Sequence, residues 1–249
     1  MWNFDKFADN TAVITESGDS VSYSALGKYC ADLTQNIPRR CLVFNLCKNE
    51  LGSLVGYVGF LNAGVVPLML KSDLDVGLLR ELIEKYKPDY IQVPADMVEL
   101  YSDCKCVYQN LGYALLKTKY ECVYPLHDDL ALLLTTSGST GSPKLVRQSY
   151  RNIEANTSSI VQYLGLAESE RTITTLPMNY TYGISIINTH LAVGAAIILT
   201  DKALMQKEFW QQLKDFEATS FGGVPYTFEM LNRLRFERMN LPALKCITQ

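Results

Sequence analysis

Histidine is scarce in this sequence, and closely paired cysteines are nearly absent. Only His127 and His190 occur, and the seven cysteines are scattered without a C-x-x-C pair. Zinc sites need several Cys or His ligands at short spacings, and thiol-redox sites usually need the C-x-x-C pair. We therefore predict no metal site among these residues, and free thiols in a reducing compartment.

The chain also lacks an excess of positive charge and a long uninterrupted apolar run. Lys and Arg total 23 against 26 Asp and Glu, for a net charge of −3, which argues against nucleic acid or an anionic membrane as partner. Asn62, Pro67 and several glycines interrupt the longest apolar stretch, and the first residues lack the basic and apolar regions of a signal peptide. We expect a cytoplasmic protein without a membrane span.

Helix-period and strand-like segments alternate along the chain, a pattern typical of βα units and a largely parallel sheet. With 48% apolar residues, a chain of 249 residues can bury a sizeable core. We predict an α/β fold of layered, mostly parallel sheets flanked by helices, in two lobes, 1–125 and 126–249. The patterns predict a strand at Cys41–Leu46 and helices at Glu50–Ala63 and near Ile184–Val193. Ser72 and Ser149 precede helical patterns and are predicted N-caps.

The most informative segment is an apolar strand that leads into a loop rich in glycine and hydroxyl groups. Its sequence from Leu132 to Lys144 is LLLTTSGSTGSPK. Glycine lets backbone N–H groups approach an anion, while hydroxyl groups and one ammonium add further donors. We predict a loop that binds a polyphosphate. It is not a Walker A loop, because two residues separate Gly138 from Gly141 and Leu145 stands where a magnesium-binding hydroxyl is required.

The segment from Thr136 to Lys144 resembles the core motif of the adenylate-forming superfamily, which includes acyl-CoA synthetases, peptide-synthetase adenylation domains and luciferases. Four further segments resemble the family in its own order along the chain. They are VSYSAL at Val21–Leu26, FLNAGVVPL at Phe60–Leu68, LPMNYTYG at Leu176–Gly183 and GGVPY at Gly222–Tyr226. The resemblance implies the N-terminal lobes of the family's large adenylation domain.

The resemblance implies that the loop holds the β- and γ-phosphates of ATP. Lys144 is then the catalytic residue that neutralises the departing pyrophosphate. The hydroxyl groups and backbone amides that bind the phosphates are those of Thr136, Ser137, Gly138, Ser139, Thr140 and Gly141.

A pocket for the acyl part of a carboxylic acid is also implied. Leu145 replaces the Gly that usually follows Pro-Lys, and Tyr180 stands where many acyl-CoA synthetases have His. Thr181 takes the position of the Asp with which amino-acid-activating members hold the substrate ammonium. Since a buried ammonium needs a paired charge, a non-amino carboxylic acid is favoured. The predicted pocket residues are Tyr180, Thr181, Gly183, Gly223, Val224 and Pro225.

The implied reaction is AMP-forming acid–thiol ligation. A carboxylate attacks the α-phosphorus of ATP in the presence of Mg²⁺, pyrophosphate leaves, and the acyl group passes to coenzyme A or to the phosphopantetheine of a carrier protein. Family members continue with most of the magnesium and nucleotide ligands and a C-terminal lid domain. We therefore expect residues 1–249 to be the N-terminal portion of such an enzyme, inactive without the remainder of its polypeptide.

Two alternatives from other classes stay open at this point. The first is a non-catalytic nucleotide-binding or scaffold module of the same fold, for which the reading frame would end at Gln249. The second is an unrelated ATP-dependent phosphotransferase, for which the product would be ADP instead of AMP and pyrophosphate.

Overall fold

The strands of the described residues form two sheets, and each sheet belongs to one of two compact units. The computed structural model describes residues 1–135 and 144–249. The first unit comprises Met1 and Gly27–Ala155, and the second comprises Trp2–Leu26 and Asn156–Gln249.

Helices and strands alternate as the sequence patterns predict. The strands are β1 (Thr11–Ile14), β2 (Ser20–Ser22), β3 (Leu42–Cys47), β4 (Val66–Lys71), β5 (Tyr90–Pro94), β6 (Lys105–Asn110), β7 (Tyr113–Lys117), β8 (Leu130–Thr135), β9 (Leu145–Ser149), β10 (Arg171–Ile173), β11 (Ala196–Ile198), β12 (Ser220–Gly222) and β13 (Cys246–Thr248). The α-helices are α1 (Tyr23–Thr34), α2 (Leu51–Asn62), α3 (Val76–Tyr86), α4 (Tyr150–Leu164), α5 (Thr181–Val193), α6 (Lys207–Asp215) and α7 (Pro225–Arg233), and 3-10 turns cover Asp5–Phe7, Ala95–Tyr101 and Phe236–Arg238.

The first unit contains a seven-stranded sheet in the order β6-β7-β5-β3-β4-β8-β9. Its four central strands, β5, β3, β4 and β8, pair in parallel, whereas β7, β6 and β9 are added antiparallel at the edges. All six residues of β3 are buried, as expected for a strand that is covered on both faces. The parallel interior is the predicted arrangement, and the antiparallel edges were not predicted.

The second unit contains a six-stranded sheet in the order β13-β12-β10-β11-β1-β2. All of its pairs are parallel except the hairpin of β1 and β2. Because β1 pairs with β11, Trp2–Leu26 belongs to this unit. The observed division therefore differs from the predicted lobes 1–125 and 126–249. Residues 126–155 stay in the first unit because β8 pairs with β4 and β9 with β8.

The two predicted helix caps have different outcomes. Ser149 caps α4, since its Oγ accepts a hydrogen bond from the backbone N–H of Asn152 at 3.1 Å. The prediction for Ser72 is wrong, because a turn closed by the N–H of Leu74 and the carbonyl of Lys71 holds Ser72 outside the helix. The N-cap of α3 is Asp75, whose Oδ1 accepts from the N–H of Leu78 at 2.9 Å.

Helix α2 is buried all round within the first unit. Every residue from Gly52 to Leu61 is buried, which an apolar helix without a charged face permits. Its glycines allow close packing, since a Cβ on Gly56 would overlap the side-chain amide of Gln92, and one on Gly59 would lie 3.3 Å from Cys30. In residues 1–135 and 144–249, no helix is long and apolar enough to span a membrane.

The close packing of α2 predicts the result of a double-mutant cycle. Gly56→Ala places a methyl group against the Gln92 amide, which donates to the carbonyl of Gly52 at 2.9 Å, so we expect a loss of about 1–3 kcal/mol in unfolding free energy. The double variant Gly56→Ala/Gln92→Ala should lose less unfolding free energy than the sum of the losses in the two single variants. Urea unfolding of the four proteins measures this coupling, and additivity within about 0.5 kcal/mol would contradict the predicted overlap.

Candidate functional site

Of the predicted phosphate-site residues, only Lys144 is among the described residues. β8 and β9 pair antiparallel, with Thr135 opposite Leu145, and the exposed Lys144 directly precedes β9. Lys144 therefore lies at the end of this edge hairpin in the first unit. The other predicted phosphate-binding residues, Thr136, Ser137, Gly138, Ser139, Thr140 and Gly141, lie outside the described residues.

The first three predicted pocket residues lie at the start of α5 in the second unit. Tyr180 is the residue before the helix and is 49% exposed, and Thr181 is the exposed first helical residue. Gly183 is buried, and a Cβ there would lie 2.5 Å from the carbonyl oxygen of Pro177. Since that neighbour is backbone, a larger residue at 183 would force the helix start away from the preceding loop.

The other three predicted pocket residues connect β12 to α7. The N–H of Gly223 donates to the carbonyl of Thr248 at 2.8 Å, which ties this turn to β13. The half-buried Val224 and exposed Pro225 begin the helix, and the N–H of Val224 donates to the hydroxyl of Thr227 at 3.1 Å. Proline at the first helical position costs no hydrogen bond, because that N–H has no partner within a helix.

A cavity of about 520 Å³ lies in the second unit, and α5 forms one wall of it. Tyr182, Ser185, Ile186, Thr189 and His190 line this wall. Their spacing of i, i+3, i+4, i+7 and i+8 places them on a single helical face. None of the six predicted pocket residues is among the described residues that line the cavity. Two lining residues adjoin predicted ones, since Tyr182 lies between Thr181 and Gly183, and Gly222 precedes Gly223.

The ends of β12 and β13 and the last turn of α4 form the other walls. Gly222 and Thr248 line the cavity on the strand side, and Tyr163 lines it on the α4 side. A Cβ on Gly222 would overlap Cδ1 of Ile186 and lie 3.4 Å from the ring of Tyr182. Gly222 therefore allows β12 to approach α5, and a larger side chain there would fill part of the cavity.

The charged groups of the cavity wall are already paired. Lys245 Nζ lies 2.9 Å from Glu170 Oε1. Partial burial raises the pKa of Glu170, but hydrogen bonds from Thr219 and Lys245 lower it. The net effect is a pKa below its ordinary value. Glu170 is thus ionised and balanced by Lys245 at neutral pH. Among the residues described, no three His, Cys, Asp or Glu side chains are grouped closely enough to hold a metal ion.

The residue patterns did not predict most of the α5 wall. The helix was predicted, and its 3.6-residue period places Tyr182, Ile186 and His190 on one face. The sequence gives no sign of whether that face contacts a core or a cavity, because the opposite walls come from residues far along the chain. The available signal was the mixture of polar and apolar groups on a single helical face.

The chain matches the protein family described as AMP-binding enzyme over residues 2–248. The chain belongs to this family. The family membership predicted from the loop motif and the segment order is thereby confirmed.

CoA ligases are among the proteins that are similar to parts of this chain. Peroxisomal OPC-8:0-CoA ligase 1 of Arabidopsis thaliana is 40% identical over 100 residues, which cover 39% of this chain and 18% of that ligase. The 2-succinylbenzoate–CoA ligase of Bacillus velezensis is 30% identical over 125 residues, which cover 50% of this chain and 25% of that ligase. The matched segments are thus small parts of these relatives.

A solved structure of the AMP-binding type has the same fold. The O-succinylbenzoate coenzyme A synthetase MenE from Bacillus subtilis, in complex with AMP, aligns with a TM-score of 0.76 at 18% identity. The alignment covers 100% of this chain and 68% of MenE. At this identity the likeness establishes the fold, and it confirms the predicted α/β architecture of two helix-flanked sheets.

One hydrogen bond in the cavity wall has a testable energetic effect. The Tyr182 hydroxyl lies 2.6 Å from Thr248 Oγ1 and joins α5 to the end of β13. We expect Tyr182→Phe to lower the unfolding free energy by about 0.5–1.5 kcal/mol, and Thr248→Val to do the same. The double variant should lose little more than either single one. Urea unfolding provides the measurement, and a double variant that loses the sum of both would show that the two groups do not interact.

Proposed function

We propose that this chain is part of an AMP-forming acid–thiol ligase. The enzyme activates a non-amino carboxylic acid with ATP to an acyl-adenylate and passes the acyl group to coenzyme A or to a carrier-protein thiol. The family match over residues 2–248, which includes the segment from Thr136 to Lys144, carries this proposal. The CoA-ligase names of the Arabidopsis and Bacillus relatives support a thiol acceptor.

The cavity of the second unit is the proposed site of the acid. Its volume of about 520 Å³ falls in the range of small-molecule sites, on the order of 300–1,000 Å³. Apolar side chains such as Ile186 and Phe221 line it beside a few polar groups. Glu170 is the one side-chain carboxylate in its described lining, and Lys245 already balances that charge. This favours an acid without an ammonium group.

The chemistry requires positioning and charge compensation. ATP supplies an electrophilic α-phosphorus, so no protein nucleophile is needed when the substrate carboxylate attacks it and pyrophosphate departs. The exposed ammonium of Lys144 is suited to bind the leaving phosphates, because a charge-assisted contact strengthens as negative charge collects on them. The hydroxyl groups and amides of residues 136–141 are the proposed partners of the β- and γ-phosphates, with Mg²⁺ bound to the nucleotide.

Lys144→Ala tests the proposed role of the lysine. Loss of one charge-assisted contact to the leaving group costs about 2–4 kcal/mol of transition-state stabilisation, which corresponds to a rate lower by about 30- to 1000-fold. The measurement is ATP–pyrophosphate exchange, driven by a panel of carboxylic acids, in the complete polypeptide that contains residues 1–249.

Lys105→Ala is the matched control, because Lys105 is also an exposed lysine of the first unit and lies on edge strand β6. We expect it to exchange at the parent rate. Equal exchange by the Lys144 variant and this control would remove Lys144 from the mechanism. Formation of ADP without AMP would identify a phosphotransferase, and ATP binding without any exchange would identify a non-catalytic module.

A further inference from the structure

One buried side chain of the cavity wall has an unused hydrogen-bonding atom. His190 is 4% exposed and lines the cavity on the face of α5 that carries Tyr182 and Ile186. Its Nδ1 lies 2.8 Å from the backbone carbonyl oxygen of Ile186. Its Nε2 has less than 1 Å² of accessible surface and no hydrogen-bond partner among the described residues, so a ligand in the cavity reaches it only when the side chains that cover it move. A buried polar atom left in this way is costly unless a ligand or water pairs with it.

The contact at Nδ1 determines which ring nitrogen carries the proton. A carbonyl oxygen can only accept, so Nδ1 must donate to Ile186. Burial lowers the pKa of His190 and outweighs the opposing effects of the Ile186 carbonyl and of Glu170, so the ring is neutral at pH 7. A neutral ring protonated at Nδ1 has an unprotonated Nε2. The free atom is therefore a hydrogen-bond acceptor.

The hydroxyl groups near His190 also present acceptors. Thr189 donates its proton to the carbonyl of Ile186 at 2.9 Å, and Ser185 donates to the carbonyl of Tyr182 at 2.8 Å. Both hydroxyl oxygens keep lone pairs, whereas their protons are already engaged. A ligand that satisfies this part of the wall must supply a donor.

The charge on the wall indicates what kind of donor fits. An ammonium group would need an unpaired carboxylate nearby, and Glu170 is already paired with Lys245 at 2.9 Å. A carboxylate or keto group on the ligand has no proton to donate, so it would place a second acceptor against Nε2 without forming a hydrogen bond. A hydroxyl group is neutral and can donate, so it matches both the ring and the balanced ion pair.

We propose that His190 is a specificity-determining residue that selects a hydroxylated carboxylic acid, whose hydroxyl group donates a hydrogen bond to Nε2. The inference rests on the proposed function, since it takes the acid to occupy this cavity. A site built to bind a hydroxyl discriminates against a methyl analogue of the same shape, because that analogue leaves the buried acceptor unpaired. We expect a preference of about tenfold or more in dissociation constant.

The first experiment observes the ring itself in the chain of 249 residues. Only two histidines are present, so nitrogen-15 NMR gives two imidazole spin systems, and His127→Gln assigns them. We expect His190 to be neutral and protonated at Nδ1 at pH 7, and its Nε2 resonance to shift when a hydroxylated acid binds. A ring that is charged, or protonated at Nε2, at pH 7 would overturn the proposal.

The second experiment compares matched acids by calorimetry, with and without ATP. The pairs are ω-hydroxyhexanoic with heptanoic acid, and para-hydroxyphenylacetic with para-methylphenylacetic acid. At least one hydroxylated acid should bind about tenfold tighter than its methyl partner. His190→Leu should remove or reverse this preference, while His190→Gln, which retains a side-chain acceptor, should keep part of it. The control His127→Gln should leave the preference unchanged, because His127 is exposed in the first unit.

The outcomes distinguish the proposed acid site in the cavity from the proposed role of His190. Cys246 lines the cavity and is exposed. An acid that occupies the cavity should therefore slow alkylation of the Cys246 thiol. The Cys246→Ser variant gives the alkylation of the other thiols as a reference. If acids bind and protect Cys246 but the methyl partners bind equally well or better, the role of His190 is wrong and the acid site stands. Stronger binding of ω-aminohexanoic or adipic acid would equally overturn the hydroxyl assignment. If no acid binds or protects Cys246, the proposed acid site fails and this inference fails with it.

Discussion

The cavity of the second unit depends on close packing between helix α5 and the backbone of two other segments, the loop before the helix and the end of β12. Gly183 lets the start of the helix pass against the carbonyl of Pro177, and Gly222 lets the end of β12 approach Ile186. Neither position has room for a Cβ without movement of its neighbours. At Gly183 the neighbour is backbone, which cannot rotate away, so the helix start is held against the preceding loop. At Gly222 the neighbours are the side chains of Ile186 and Tyr182, which pack directly on the strand backbone. The face of α5 between these two contacts forms the wall of the cavity.

Hydrogen bonding within that wall determines its chemical character. Ser185 and Thr189 donate to carbonyls of their own helix, and Glu170 is balanced by Lys245. These groups are satisfied internally, so they contribute polarity without requiring a ligand. His190 differs, because its contact with Ile186 uses one ring nitrogen and leaves the other as an acceptor. Among the described residues that line the cavity, this nitrogen is the one buried polar side-chain atom without a partner, and a ligand that pairs with it would be held in a defined orientation.

Much of the fold was predictable because local chemistry and tertiary packing agree. The apolar run of β3 and the periodic patterns of α2 and α5 gave correct element types, and Ser149 was recognised as a cap from its residue type. Strand β9 was missed, since Leu145–Ser149 is partly exposed and has little apolar character. The observed division into units differs from the predicted lobes for a related reason. Pairings such as β1 with β11 join residues that are distant in the chain, and no local signal specifies the partner.

The sequence by itself determined the family, the alternation of helices and strands, and the glycine- and hydroxyl-rich composition of the segment that ends at Lys144. These properties depend on residue identity and order, which the chain carries directly. The tertiary structure alone decided that β1 belongs with the later strands and that one face of α5 lines a cavity. It also decided that His190 is buried on that face with a ring nitrogen that has no hydrogen-bond partner within residues 1–135 and 144–249. Burial and hydrogen-bond pairing depend on which distant segments meet, and those contacts form only when the chain has folded.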